Sequence, residues 1–236
     1  MKNNIACLIP AAGKGSRSGL EYPKTLYKIN AIPIIVRILK VLRKIDNKPS
    51  IVINKKYLNL FKKNLQKYDF NPEFLYQRYQ KGMGNSVLQF KNSVKNHDNI
   101  LLIWGDIPFI RKSTIDKLIH FHFKNNNDFS LITKFVSDPY TIVKRDKDNK
   151  VKSIIETKIY KRKLVKFGER EIGLFLFKKN VVFKFLKKKL PGKFKGKEHG
   201  FLYIVEHLAK AGYKIEAMPF ANNKEIISFN SLDDLK

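Results

Sequence analysis

The sequence predicts an α/β fold of Rossmann-like type, with a mostly parallel mixed sheet flanked by helices and a β-rich region in the second half of the chain. In the first half of the 236 residues, short apolar runs alternate with amphipathic segments of helical spacing, which is typical of a parallel sheet covered by helices. In the second half several strand-like segments follow one another. Hydrophobic residues make up 43% of the chain, enough for a packed core.

The first half is expected to alternate strand and helix. Its helices are predicted from apolar residues on one face, as with Ile35, Ile38 and Leu42, and Ser113 is a candidate N-cap. The predicted strands are 5–9, 50–53, 73–76 and 100–104, and the predicted helices are 32–42, 56–68, 85–94 and 113–123.

The second half is expected to be richer in strands. A polar tract at 146–150 predicts a turn between two strands, and Gly212 is placed to end a helix. The predicted strands are 129–135, 141–145, 151–156, 171–177, 215–220 and 226–229, with helices at 181–188 and 201–211.

The chain is strongly basic, with a formal net charge of +28. Such charge attracts nucleic acid, an acidic membrane surface or a phosphate-rich substrate. The positive charge is also explained by a genome whose codon bias favours lysine, in which case the lysines only form a solvated basic surface. The lysines are dispersed and no nucleic-acid-binding motif is present, so a nucleic-acid partner is not expected.

The single cysteine, Cys7, lies in an apolar run and is expected to be a buried core residue. One cysteine excludes a disulfide within the chain, which suits a reducing compartment. No apolar run reaches the roughly 20 residues of a membrane-spanning helix. We therefore expect a soluble cytoplasmic protein. The sequence leaves open whether it forms a homo-oligomer.

The strongest functional signal is a glycine-rich turn after the first strand. Small residues there allow the backbone to approach a ligand closely, and consecutive N–H groups can bind phosphate oxygens. Three cations surround this turn: Lys14, Arg17 and Lys24. The positions expected to contact a nucleotide here are Pro10, Ala11, Ala12, Gly13, Lys14, Gly15 and Ser16.

Residues 8–17, followed by Tyr22-Pro23-Lys24, resemble the L-x-A-G-x-G-[ST]-R and P-K signature of the sugar-phosphate nucleotidyltransferases, which have a GT-A-like fold. Within them the sequence is most similar to the N-acetylglucosamine-1-phosphate uridylyltransferases. The resemblance implies a Mg²⁺-dependent enzyme that transfers a nucleoside monophosphate from a triphosphate, with UTP or CTP favoured, to a sugar 1-phosphate or a similar small phosphorylated acceptor and releases pyrophosphate. It implies one domain, 1–236, with a nucleotide-binding half at 1–125 and an acceptor-binding half at 126–236. Arg17, Lys24 and Asp106 would be its catalytic residues.

The resemblance continues along the chain and assigns further roles. Gln77 and Gly82 correspond to the segment that hydrogen-bonds the base, although Met83 replaces the family threonine. Gly105-Asp106 ends an apolar strand as in the family's G-D-x-P motif, with Gly105 giving the nucleotide access. A hard divalent cation needs a carboxylate near the phosphates, so Asp106 is the leading metal ligand. Ile227-Ser228-Phe229-Asn230-Ser231 resembles the family's G-[VI]-[ND]-[TND] segment, which implies that Asn230 is the second metal ligand; the alternative is an asparagine that caps a last helix.

The acceptor half departs from that subfamily. Glu156 corresponds to a glutamate that contacts the sugar, but Glu171 stands where a neutral amide is expected, and Thr141 lies in a segment that lacks the usual glycines. The resemblance therefore leaves the acceptor open. If the strand is shifted by one residue, Glu171 would instead face solvent.

Two other functions remain compatible with the sequence. One is a CTP-dependent cytidylyltransferase for a polyol phosphate or a phosphocholine-like acceptor, which a carboxylate at Glu171 would suit. The other is a basic nucleic-acid-binding protein without catalysis. The second predicts salt-sensitive binding that survives loss of Asp106.

Overall fold

The computed structural model describes residues 4–13, 18–78, 81–94, 96–157, 165–186 and 199–235. The strands are β1 (Ile5–Pro10), β2 (Lys28–Ile29), β3 (Ile32–Pro33), β4 (Ser50–Ile53), β5 (Glu73–Tyr76), β6 (Asn99–Ile103), β7 (Phe129–Ser137), β8 (Thr141–Arg145), β9 (Val151–Glu156), β10 (Phe167–Lys178) and β11 (Ile215–Met218). The α-helices are α1 (Ile34–Leu42), α2 (Leu58–Gln66), α3 (Met83–Gln89), α4 (Lys112–Lys124), α5 (Lys179–Leu186) and α6 (Ile204–Lys210).

The main sheet has seven strands in the order β11-β7-β10-β6-β1-β4-β5. β6, β1, β4 and β5 are parallel, so their carboxyl ends meet at one edge of the sheet. β10 runs antiparallel between β6 and β7, and β11 is parallel to β7. The predicted mixed, mostly parallel sheet is confirmed. Ligands of open α/β sheets bind at the carboxyl edge.

The sheet is covered on both faces, and β1 shows why. Ile5, Cys7 and Ile9 belong to one apolar cluster, packed with α1, α2 and α4, while Ala6 and Leu8 belong to the other, packed with α3, α5 and α6. Side chains of a strand alternate between its faces, so a strand buried on both sides reads as one apolar run. Cys7 is buried, as predicted.

A small antiparallel hairpin, β8–β9, is tethered to the main sheet by a partly buried ion pair between Arg145 and Glu169. Arg145 donates from Nε to Glu169 Oε2 at 2.7 Å and from Nη2 to Oε1 at 2.8 Å. Thr133 Oγ1 donates to the same carboxylate at 2.6 Å. A fork-to-fork pair fixes geometry as well as contributing energy. It holds the hairpin, which carries Thr141 and Glu156, against β10.

Two local predictions were wrong. Residues 223–226 form a turn and 227–229 have no regular structure, so 226–229 is not a strand. Helix α4 begins at Lys112, which places Ser113 inside the helix, and the side chain of its N-cap residue, Arg111, makes no capping hydrogen bond. The Glu225 carboxylate instead accepts the backbone N–H of Arg111 at 3.0 Å. No helix among the described residues has the length and apolarity to cross a membrane.

Candidate active site

The end of β1 forms the floor of the site. Pro10, Ala11 and Ala12 are buried, and the backbone N–H of Ala11 donates to Val52 O at 2.7 Å, continuing the sheet by one residue. A Cβ on Gly13 would meet nothing within 4 Å, so this position is open. The predicted phosphate-contacting residues that follow, Lys14, Gly15, Ser16 and Arg17, lie outside the described residues.

Three predicted site residues from distant parts of the chain meet at this edge. Lys24 Nζ lies 2.6 Å from Asp106 Oδ2 and 3.4 Å from Asn230 Oδ1. The Lys24 and Asp106 side chains are only 17% and 18% exposed. A partly desolvated ion pair of this kind interacts more strongly than one at the surface. The structure thus brings together the proposed catalytic lysine and both proposed metal ligands.

Packing around Gly105 brings these residues together. A Cβ at Gly105 would lie 2.7 Å from Pro10 O and 2.9 Å from Thr25 Cγ2, so only glycine lets these segments approach. The need for glycine here is thus explained by contact with the protein itself, and access for a nucleotide stays a prediction. From the other side, Phe229 N donates to Asp106 O at 2.7 Å and carries Asn230 to the site.

Asp106 has one oxygen to spare for a cation. Its Oδ1 is buried and has no hydrogen-bond partner among the described residues, while Oδ2 faces Lys24. A buried carboxylate oxygen without a donor is costly. The described residues contain no group of three or more His, Cys, Asp or Glu that could hold a metal ion. One carboxylate and one amide oxygen suit Mg²⁺, which takes most of its ligands from water and phosphate.

Asn230 begins a tight turn closed by Asp234. Asp234 Oδ2 accepts the backbone N–H groups of Asn230 at 2.7 Å and Ser231 at 2.6 Å. Burial alone would raise the pKa of Asp234, but these hydrogen bonds and the nearby Lys24 ammonium outweigh it and lower that pKa. The Asp234 carboxylate therefore stays ionised beside the site.

The Gln77 side chain makes its hydrogen bonds within the protein. Its Nε2 donates to Gly82 O at 3.1 Å and to Asn85 Oδ1 at 2.9 Å, and its Oε1 accepts from Ser86 Oγ at 2.9 Å. An amide has two N–H donors, and both are taken. In this geometry Gln77 shapes the turn before α3 and has no N–H left for a base; its base contact stays a prediction.

The glycines of the same turn fit against His199. A Cβ at Gly82, where φ is 90°, would lie 2.5 Å from His199 O, and a Cβ at Gly84 would collide with Gly200 O. The backbone of His199 bonds the turn twice, donating to Lys81 O at 2.6 Å and accepting from Gly84 N at 2.8 Å. Burial lowers the pKa of His199. The sequence indicated neither contact.

Glu171 is fully buried, so the solvent-facing alternative is wrong. Its Oε2 accepts Gly173 N at 2.5 Å, and its Oε1 accepts Thr141 Oγ1 at 3.2 Å. Burial is the main cause that raises its pKa to about 7, with the charge of Asp106 adding to it. Thr141 is also the register partner of Glu156. The two predicted acceptor residues therefore lie on either side of Thr141.

Two residues beside this region were not predicted from the sequence. Arg170 lies over the Tyr140 ring, with Cζ 3.8 Å from the ring centroid, and its Nη2 donates to the Tyr140 hydroxyl at 2.9 Å. Burial, followed by the charge of Glu171, raises the pKa of the Tyr140 phenol, and Asp106 also contributes. The only sequence signal was an arginine between two glutamates, which does not indicate stacking.

One family of known proteins matches the first part of this chain. The model of a family described as the MobA-like NTP transferase domain matches residues 7–147. That stretch contains Lys24 and Asp106, whereas Glu171 and Asn230 lie beyond it.

Two curated relatives are each a bifunctional protein GlmU. The one from Thermodesulfovibrio yellowstonii is 30% identical over 230 residues, and the one from Buchnera aphidicola subsp. Baizongia pistaciae is 28% identical over 232 residues. These alignments cover 97% and 98% of this chain but 50% of each relative. The chain therefore spans about half the length of the curated relatives it matches.

A solved structure from Bacillus anthracis, assigned as a glucose-1-phosphate thymidylyltransferase and in complex with sucrose, has a similar fold. The TM-score is 0.72, with 90% of this chain and 85% of that one covered at 18% identity. At that identity the likeness concerns the fold alone.

Proposed function

Because the chain belongs to the MobA-like NTP transferase family, we propose that it transfers a nucleoside monophosphate from a nucleoside triphosphate to a small phosphorylated acceptor. A sugar 1-phosphate is the acceptor class we favour. The observation that carries the proposal is the convergence of Lys24, Asp106 and Asn230 at the carboxyl edge of the sheet. Residues 1–125 would form the nucleotide half and 126–236 the acceptor half.

The nucleotide would lie over the end of β1. Ala11 and Ala12 leave room for a base or ribose, and Gly13 opens the backbone toward the phosphates. Lys24 would stabilise negative charge at the α-phosphorus, because its ammonium already lies at the site. We assign Arg17, from the sequence, to the leaving β- and γ-phosphates.

Asp106 and Asn230 would hold the Mg²⁺ ion. The fit rests on Asp106 Oδ1, which is buried and has no hydrogen-bond partner among the described residues, and on the Asn230 amide oxygen, which lies 3.4 Å from the same Lys24 ammonium that contacts Asp106 Oδ2. When bound, Mg²⁺ neutralises phosphate charge and polarises phosphate oxygens.

The chemistry needs no general base. A phosphate monoester has its second pKa near ~6 and is mostly a dianion at neutral pH. An acceptor phosphate oxygen would attack the α-phosphorus, and the bond to the β-phosphate oxygen would break, so that pyrophosphate leaves with the electron pair. The residues of the site would align the two anions and neutralise their charge.

The acceptor would bind between the β8–β9 hairpin and Asp106. Glu156 is the group best placed to accept hydrogen bonds from acceptor hydroxyls, since it lies at the end of β9 opposite Thr141. Glu171 is covered by the protein and would support this side of the acceptor site through its hydrogen bonds with Thr141 and Gly173.

A substrate screen tests the proposal. The unmodified protein is incubated with Mg²⁺, one of UTP, CTP, ATP, GTP or dTTP, and one acceptor from a panel of sugar 1-phosphates, polyol phosphates and phosphocholine, and pyrophosphate release is measured. We expect release only with a matched triphosphate and acceptor. If the protein is folded and no combination of triphosphate and acceptor gives pyrophosphate release, the proposal is contradicted.

A further inference from the structure

The last described turn of the chain fixes one of the proposed metal ligands. After Phe229 bonds the Asp106 backbone, Asn230 N and Ser231 N both donate to a single oxygen, Oδ2 of Asp234, at 2.7 and 2.6 Å. Ser231 Oγ donates to the same oxygen at 3.3 Å. This carboxylate therefore accepts three donors from the two residues that open the turn.

The Asn230 side chain is oriented as well. Its Nδ2 donates to Ser228 O at 3.3 Å, which leaves Oδ1 directed at Lys24 Nζ, 3.4 Å away. Hydrogen bonds set the side-chain direction, and the Asp234 bonds set the backbone from which that side chain projects. A backbone hydrogen bond within the turn, from Asp234 N to Ser231 O, is longer at 3.3 Å.

We propose that Asp234 is a positioning residue for the cation site, whose carboxylate fixes the Asn230 backbone so that the Asn230 amide oxygen stays beside Asp106. This inference rests on the proposed function, because it takes Asp106 and Asn230 as the metal ligands. Groups that orient metal ligands typically change metal affinity about 10–100-fold when they are removed. Asp234 is exposed, so we expect an effect near ~10-fold, the lower end of that range.

Asp234 could also act merely through its charge, and two substitutions separate the roles. Asp234→Asn removes the charge but keeps an oxygen that can accept the N–H groups of Asn230 and Ser231. Asp234→Ala removes both. Positioning predicts that the asparagine variant resembles the unmodified protein, whereas a charge effect predicts that it resembles the alanine variant. Asp233→Asn removes the same charge from the adjacent exposed position and serves as the control.

The test measures Mn²⁺ binding to each protein without substrates, from the loss of the free-ion EPR signal. We expect Asp234→Ala to raise the Mn²⁺ dissociation constant about 10-fold, and Asp234→Asn and Asp233→Asn to change it less than 2-fold. Thermal unfolding of every variant is measured alongside, and a reduced fraction of folded protein is corrected for.

Equal dissociation constants for Asp234→Ala and the unmodified protein would overturn the inference, as would equal weakening in the alanine and asparagine variants. Because the assay needs no turnover, it is separate from the proposed function. Failure of the substrate screen with normal Mn²⁺ binding would count against the function alone. Failure of the Asp234 series in an active enzyme would count against the inference alone.

Discussion

Lys24 Nζ and Asp106 Oδ2 are 2.6 Å apart, although 82 residues separate them in the sequence. The ammonium thus lies against the carboxylate proposed to bind a divalent cation, and the two cations would compete for the negative charge of that carboxylate. The competition gives Lys24 two opposed effects, since it should weaken metal binding by itself yet assist the reaction at the α-phosphorus.

Replacement of Lys24 should separate these effects. In Lys24→Met we expect tighter binding of Mn²⁺ alone, because the competitor is gone. We also expect kcat/KM to fall by about 100–1000-fold, the scale of losing one oriented charge-stabilising donor. Mn²⁺ titration and steady-state kinetics check the two halves, with Lys28→Met, an exposed lysine nearby, as the control. Unchanged kinetics would remove Lys24 from the site.

Loss of the Asp106 charge should abolish turnover without unfolding the protein. Asp106→Asn keeps the side-chain shape but removes the carboxylate that a hard cation requires. We expect no measurable pyrophosphate release at ordinary Mg²⁺ concentrations and a melting temperature close to that of the unmodified protein. Asp116→Asn, which breaks an exposed ion pair with Lys112, should stay active. Full activity of Asp106→Asn would refute the metal site.

Glu171 should make stability depend on pH. Burial raises its pKa from 4.5 to about 7, so the folded protein holds this proton more tightly than the unfolded chain. Its stabilising contribution is complete below the unfolded pKa and is lost as pH rises through the folded pKa. At about 1.4 kcal/mol per pKa unit, the loss between pH 4.5 and 7 is on the order of 3 kcal/mol.

Glu171→Gln should flatten this part of the stability profile, because the amide does not titrate. Urea unfolding at intervals from pH 5 to 8 measures the difference, with Glu206→Gln as a control at the protein surface. We expect the unmodified protein and the control to lose stability toward pH 8, and Glu171→Gln to lose less. Parallel profiles for all three proteins would show that Glu171 keeps an ordinary pKa.

Gly84 should be essential for packing against His199. An added methyl group would meet the Gly200 carbonyl and lie 2.9 Å from His199 Cδ2. Overpacking of this kind costs about 1–3 kcal/mol, so we expect Gly84→Ala to lower the free energy of unfolding by that amount and to weaken triphosphate binding. Gly168→Ala is the control, since its nearest neighbour would be 3.4 Å away. Equal stabilities would contradict the close contact.

The sequence predicted the sheet well because its central strands are buried on both faces. Ile100–Ile103 and Ile5–Ile9 are continuous apolar runs, and such runs indicate strands directly. The predicted strand at 226–229 failed because its apolar residues are explained by packing: Phe229 stacks on Tyr27 at a centroid distance of 4.7 Å without pairing along a strand.

The parts of the site that short motifs specify could be predicted from the sequence. The parts that depend on tertiary contacts could not. Lys24, Asp106 and Asn230 were proposed from short motifs, and the fold brings them together. The internal hydrogen bonds of Gln77 and the stacking of Arg170 on Tyr140 depend on partners that spacing alone does not reveal.

The proposed transfer of the nucleotidyl group, which is the nucleoside with its α-phosphate, can be followed with a radiolabelled triphosphate. The triphosphate that is active in the screen is labelled with ³²P at the α-position and incubated with the protein, Mg²⁺ and the matched acceptor. We expect the label to appear in a new nucleoside diphosphate conjugate of the acceptor, in equal amount to the pyrophosphate released. Label recovered only as nucleoside monophosphate, or release of the γ-phosphate alone, would contradict it.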